Sequence, residues 1–250
     1  MKLHIVNNYA AMSARALVYL QQVLGASPQP VISFTTGGTP AGLFGLMVEA
    51  INHKKMDITH AIFLNLDEYV GPRDAVYTVH TFMQQHLYNH ITDRPAFSDM
   101  FTADAPDKEA EIARYCRTLA RYPRDIQLLG LGINGHIGAN EPGTPFDATA
   151  FCARHTASTI QSTVDLYQIR REDAPEEMFT LGFTEIMAAR LPLLCASGKS
   201  KAQAVKQMLE GPVDTACPAS LLRTHPGAVF ILDEDAASLL QAGTRKWAEQ

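Results

Sequence analysis

Apolar residues along this chain recur with two alternating periods. Short continuous runs read as strands buried on both faces: "VISFT" (31–35), "AIFLNL" (61–66), "IQLLGLG" (126–132), "LPLLCAS" (191–197) and "GAVFIL" (227–232). Between them, apolar residues return at helical spacing. "TPAGLFGLMVEAINH" (39–53) follows the first run, and "KSKAQAVKQMLEG" (199–211) follows the fourth and closes on Gly211. Strands alternating with helices predict a parallel sheet with helices on both faces. No repeat, low-complexity tract or linker interrupts the pattern, so a single α/β domain is expected.

Composition narrows the function classes. At 250 residues and 46% hydrophobic, the chain can bury a sizeable core. Its net charge of -5 lacks the basic excess that neutralises a phosphate backbone, which argues against nucleic acid as partner. One anionic metabolite remains compatible, because a single pocket lysine does not move the overall balance. The four cysteines (Cys116, Cys152, Cys195, Cys217) are scattered, without metal-ligand or redox-motif spacing, and read as reduced thiols of a cytoplasmic protein. "MKLHIVNNYAAMS" has no signal-peptide apolar region, and no run is long enough to cross a bilayer, so no membrane association is expected.

In open α/β sheets ligands bind beyond the carboxyl ends of the strands, where strand order reverses. Three predicted strands lead directly into unusual turns. "TTGGTP" (35–40) joins glycines and hydroxyls at a helix start, with Thr39 expected as N-cap and Pro40 in the first helical position. Gly37 and Gly38 let backbone N–H groups face an anion, although a plain strand-to-helix turn would look the same. "SGKSK" (197–201) lacks the first glycine of a nucleotide-binding loop, Leu193 standing in its place. "NLDEYVG" (65–71) ends its strand in two carboxylates that strand geometry points to opposite sides. One of Asp67 and Glu68 can then face a crevice as a proton-abstracting base while the other braces the loop, unless both belong to a solvated acidic turn. "INGHIGANEP" (133–142) carries His136 and Glu141, a proton shuttle and a carboxylate able to fix its tautomer, or else polar residues of a glycine-rich loop.

Five segments in this order, "TTGGTP", "LNLDEYVG", "LGLGINGHIGANEPGTPF", "SGKSKAQAVKQMLEG" and "PASLLRTHPGAVFILDEDAA", resemble the glucosamine-6-phosphate deaminase and galactosamine-6-phosphate isomerase family. The resemblance implies one three-layer α/β/α domain over residues 1–250, with a mostly parallel, Rossmann-like sheet. It also implies a reaction without metal or cofactor, in which an amino-sugar phosphate is isomerised and deaminated to a ketose phosphate and ammonia. In the roles so implied, Asp67 moves the proton between C2 and C1, His136 opens the ring and Glu141 orients it. Thr36, Gly37, Gly38 and Thr39, with Lys201, hold the phosphate. Glu68 is a possible support, and the partner is a small sugar phosphate bound by a monomer or homo-oligomer.

The chain departs from that family at three places. Asn134 stands where many members have aspartate; it is read as a positioning or hydrogen-bonding residue and bears on the choice between gluco and galacto substrates. A phosphate-assisting arginine expected near Ser162 is missing, which leaves Arg170, Arg171 or Lys201 alone for that task. Only Arg154 lies in "DATAFCAR" (147–154), where hexameric members carry the basic residues of an allosteric site, so that regulation is not expected. Residues 72–87, "PRDAVYTVHTFMQQHL", are a candidate lid. Two other readings compete. A 6-phosphogluconolactonase would carry a "DGHTASLFP"-like stretch in place of "NGHIGANEP", and an arginine after the strand-end "DE". A phosphosugar-sensing module would keep the phosphate loop and lose the acid–base residues.

Overall fold

The computed structural model describes residues 1–155 and 157–248. In chain order the elements begin with β1 (Lys2–Val6), α1 (Tyr9–Ala26), β2 (Val31–Phe34), α2 (Gly38–Asn52), β3 (Ile62–Asn65) and β4 (Asp67–Tyr69). Next come α3 (Val79–Met83), β5 (Phe97–Ser98), α4 (Lys108–Arg121), β6 (Ile126–Gly130), β7 (Phe151–Arg154) and α5 (Ala157–Tyr167). The last are β8 (Glu177–Thr180), α6 (Phe183–Met187), β9 (Leu191–Ala196), α7 (Ala202–Glu210), β10 (Val229–Asp233) and α8 (Ala242–Arg245).

Seven strands form one sheet in the order β1-β10-β9-β6-β2-β3-β5, with every neighbouring pair parallel. Alternation along each strand divides its apolar residues between two cores. Val229 and Ile231 join Ile32, Phe34 and Phe63 under α1 and α2, where Leu20, Phe44 and Met47 are fully buried. Phe230 and Leu232 join Leu64 and Leu129 on the other face, under Tyr115 of α4 and Val205 and Met208 of α7. The result is a three-layer α/β/α domain. Each fully buried Leu or Phe contributes about 1.5–3 kcal/mol of transfer free energy, which is why continuous apolar runs, rather than alternating ones, mark these strands. Among the described residues no helix is long and apolar enough to cross a membrane.

Strand order reverses between β2 and β6. From β2 the chain builds outward through β3 to β5, and from β6 it builds the other way through β9 and β10 to β1. The crevice at that reversal is opened by the loops that follow β2 and β6.

A second, three-stranded antiparallel sheet, β4-β8-β7, has no counterpart in the sequence reading. Leu66 links the two sheets: its N–H donates to the Phe34 carbonyl at 2.8 Å, and its own carbonyl accepts from Leu181 N–H at 3.0 Å. The chain therefore turns out of the large sheet immediately before Asp67.

Two further expectations are corrected. The start of α2 lies earlier than Thr39: Gly37, at φ +98°, is the N-cap and Gly38 the first helical residue, so Thr39 and Pro40 sit inside the first turn without any side-chain cap. The candidate lid is anchored at its helical end. Val79, Met83 and Leu87 are buried in the core beneath α2, and no residue of 72–87 lines the crevice.

Candidate active site

A cleft of about 370 Å³ opens at the reversal. Its lining includes the loop from Thr35 to Thr39 and Lys201. A positive φ at Gly37 turns the chain sharply into α2, a conformation that side chains rarely adopt. The first turn of a 15-residue helix thus faces the cleft with its amides uncapped, where its dipole favours an anion. The Tyr9 hydroxyl is inserted into that turn, donating to the Gly38 carbonyl at 2.8 Å and accepting from Gly42 N–H at 2.7 Å. Lys201 closes the turn after β9, which Asp233 holds by accepting from the Ser197 hydroxyl at 2.5 Å and Gly198 N–H at 3.0 Å. Among the described residues no carboxylate pairs with Lys201, and burial lowers the pKa of its ammonium.

Asp67 and Glu68 face opposite ways. Asp67 lines the cleft and is 5% exposed, and its Oδ1 has no hydrogen-bond partner among the described residues. Desolvation pushes its pKa up to about 7. Glu68 points away from the cleft and accepts from Val79 N–H and His80 N–H, both at 2.8 Å, anchoring the start of α3. Its pKa is raised to about 8, chiefly by burial, against those hydrogen bonds and with Asp67 adding to the rise.

The turn after β6 brings His136, Asn134 and Glu141 together. His136 folds back over Gly132, where an added Cβ would lie 2.4 Å from the imidazole ring. Asn134 is the direct partner of that ring. Its Oδ1 accepts from His136 Nδ1–H at 2.8 Å and from His136 N–H at 3.2 Å, while its Nδ2 donates to Glu141 Oε2 at 2.7 Å. Glu141 Oε1 is 3.4 Å from the same Nδ1. A carboxylate only accepts, so Glu141 fixes the Asn134 amide, and the amide oxygen in turn requires the proton on Nδ1. Nε2 is left as the proton-accepting nitrogen. Desolvation lowers the pKa of His136, Glu141 opposes that and Lys201 reinforces it.

Asp67, His136, Glu141, Thr36, Gly37, Gly38, Thr39 and Lys201 thus line one cleft, and Asn134 binds two of them. Arg170 and Arg171 do not line it: Arg170 is paired with Asp173 at 2.7 Å and with Glu172. The Ser162 side chain lies outside the described residues. Tyr69, Arg154, His155 and Tyr167 line a further wall, supplied by the small sheet and α5, and the sequence reading did not place them in the site. Strand alternation alone would have put Tyr69 on the side of Asp67, two residues earlier. His155 carries no such signal. Among the described residues no group of three or more His, Cys, Asp or Glu is placed to hold a metal ion.

The family described as Glucosamine-6-phosphate isomerases/6-phosphogluconolactonase matches residues 7–231. A glucosamine-6-phosphate deaminase of Listeria monocytogenes is 39% identical over 243 residues, spanning 96% of this chain and 100% of the relative. The structure of a monomeric glucosamine-6-phosphate deaminase superposes with a TM-score of 0.90 at 33% identity, covering 96% of this chain and 100% of that one. A 6-phosphogluconolactonase of Trypanosoma brucei shares the fold, with a TM-score of 0.73 at 20% identity over 96% and 98% of the two chains.

Proposed function

The chain belongs to the glucosamine-6-phosphate isomerase/6-phosphogluconolactonase family, and we propose that it converts glucosamine 6-phosphate and water to fructose 6-phosphate and ammonia. The observation that carries this reading is Asp67: a buried carboxylate without a donor among the described residues, set in one cleft with an anion-binding helix start and a histidine of fixed tautomer. A carboxyl with a pKa near 7 is matched to taking and returning a proton at neutral pH.

In this reading the phosphate sits on the first turn of α2 against Lys201. His136 Nε2 takes the proton from the anomeric hydroxyl and delivers it to the ring oxygen as the C1–O5 bond breaks, leaving the open aldehyde. Asn134 and Glu141 hold the ring in register and stabilise its charged form. Asp67 then removes the C2 proton while the aldehyde oxygen takes a proton from the substrate's ammonium group, giving an enolamine, and Asp67 returns its proton to C1. The product is an imine at C2, to which water adds as ammonia leaves. Glu68 supports this geometry by fixing the start of α3 behind β4. Four free thiols, buried or half-buried, suit a reducing compartment, so the reading includes a cytoplasmic location.

The glucosamine substrate is preferred over its C4 epimer because the relatives that align over nearly the whole chain carry that name. Ammonia release from glucosamine 6-phosphate and galactosamine 6-phosphate, measured side by side, tests the proposal. Turnover of the gluco sugar is expected to exceed that of the galacto sugar. Silence on both at high enzyme concentration would overturn the assignment, and preference for the galacto sugar would overturn the choice of epimer.

A further inference from the structure

The cleft contains a second histidine that the proton-transfer scheme does not use. His155 follows the end of β7 and lines the cleft wall with Tyr69 and Tyr167. Its backbone is tied to the next loop, His155 N–H donating to the Glu176 carbonyl at 2.8 Å. Its ring is tied there as well, with Nδ1 lying 3.2 Å from the Pro175 carbonyl. A carbonyl can only accept, so Nδ1 carries the proton and Nε2 presents a lone pair. Among the described residues Nε2 has no hydrogen-bond partner. The Tyr69 ring meets the imidazole edge-on, with centroids 5.5 Å apart and planes at 78°, which fixes the orientation of the ring plane. Burial holds the His155 pKa below the ordinary histidine value, against the pull of the Pro175 carbonyl and Glu141, which keeps the lone pair available.

We propose that His155 is a specificity-determining residue whose Nε2 accepts a hydrogen bond from a hydroxyl or amino donor of the bound sugar. This inference rests on the reading of the cleft as a sugar-phosphate site. It adds a neutral acceptor on the wall contributed by the small sheet, facing a substrate whose charged end is held elsewhere. Among the carboxyl and imidazole groups lining the cleft, Asp67 is assigned to the C2 proton, and His136 with its partner Glu141 to ring opening. A fixed, neutral acceptor is the group best suited to read a hydroxyl or amine without taking its proton.

Two substitutions separate this role from a structural one. In His155→Asn the side-chain amide can still donate to the Pro175 carbonyl from the Nδ1 position, but the acceptor at Nε2 is gone. In His155→Gln the amide oxygen can reach the Nε2 position, while the bond to Pro175 is given up. The proposal expects kcat/KM on glucosamine 6-phosphate to fall about tenfold in His155→Asn, in keeping with loss of one neutral hydrogen bond, and to be partly restored in His155→Gln. The reverse reaction, run with fructose 6-phosphate and ammonium, identifies the donor. A raised KM for ammonium alone assigns the amino group, and a raised KM for the sugar phosphate in both directions assigns a hydroxyl. Wild-type rates in His155→Asn, or a larger loss in His155→Gln than in His155→Asn, would overturn the proposal and leave the sugar-phosphate reading standing. A wild-type protein silent on amino-sugar phosphates would remove both.

Discussion

In the large parallel sheet, Ile32, Leu128 and Phe230 are buried among apolar neighbours; in the small antiparallel sheet, Asp67 and Glu68 are buried as deeply. The first kind of burial stabilises the fold. The second costs desolvation free energy, and the two carboxyls respond with pKa values raised to about 7 and about 8. The cleft lies between these regions. The large sheet supplies a close-packed floor and the switch point that opens it, whereas the small sheet presents groups that a folding criterion alone would not retain. The difference teaches that the buried strands of the large sheet carry stability, while the candidate reactive groups sit on the small sheet and on the turns that leave the large one.

The largest expected effect on the reactive side is Asp67→Asn. It should lower kcat about 10²–10⁴-fold through loss of the general base, while inorganic phosphate still inhibits or binds as in the wild type. C2-proton exchange with solvent is the direct readout, and exchange at the wild-type rate would remove Asp67 from its role. On the structural side, Phe230→Ala should destabilise by about 3–5 kcal/mol in denaturant unfolding and leave KM unchanged in the folded fraction. A raised KM without destabilisation would break the division between the layers. Lys201→Met keeps the apolar stem and removes the charge, and should raise KM for the sugar phosphate about 10–100-fold, as expected for a charged hydrogen bond, with kcat less affected.

The smallest effect is one of stability against pH. Asp67 has a folded pKa near 7, above its unfolded value of about 3.9. Between those values the native state binds the extra proton, so its stabilisation is full below about pH 4 and is lost as pH rises through 7. Thermal unfolding of the wild type and Asp67→Asn at several pH values should show the variant gaining relative stability from pH 5 to pH 8. Parallel curves would mean that Asp67 is not desolvated in the folded protein.

What the sequence made legible follows the same division. Strands buried on both faces leave continuous apolar runs, so Val31, Ile62 and Ile126 could be placed in parallel strands and their downstream turns in one crevice. The large sheet's first strand, Lys2–Val6, and its edge strand, Phe97–Ser98, did not stand out as such runs. The small sheet has strands of only three or four residues, partly exposed, and leaves no such trace. That is why Arg154 and His155 were not foreseen on the cleft wall. Asp67, His136 and Glu141 were visible because glycines and carboxylates at strand ends are chemically unusual. Glu141 does approach the His136 ring, at 3.4 Å, but no sequence pattern indicated that the Asn134 amide would bind both of them. The N-cap was misplaced because Thr39 and Pro40 are good capping types, while the tight turn needed glycine's positive φ one step earlier.

The Tyr9 hydroxyl has a consequence for how the protein can be trimmed. It stands in the opening rung of the hydrogen-bond ladder of α2, contributed by the first residue of another helix. The amino-terminal helix is therefore a remote support of the proposed anion site, although Tyr9 does not line the cleft. Shortening the chain past this residue would also remove β1 from the large sheet. Tyr9→Phe, by contrast, removes only the hydroxyl and should weaken phosphate affinity with far less loss of stability. A loss of affinity in that variant would not by itself indicate damage to the residues that react.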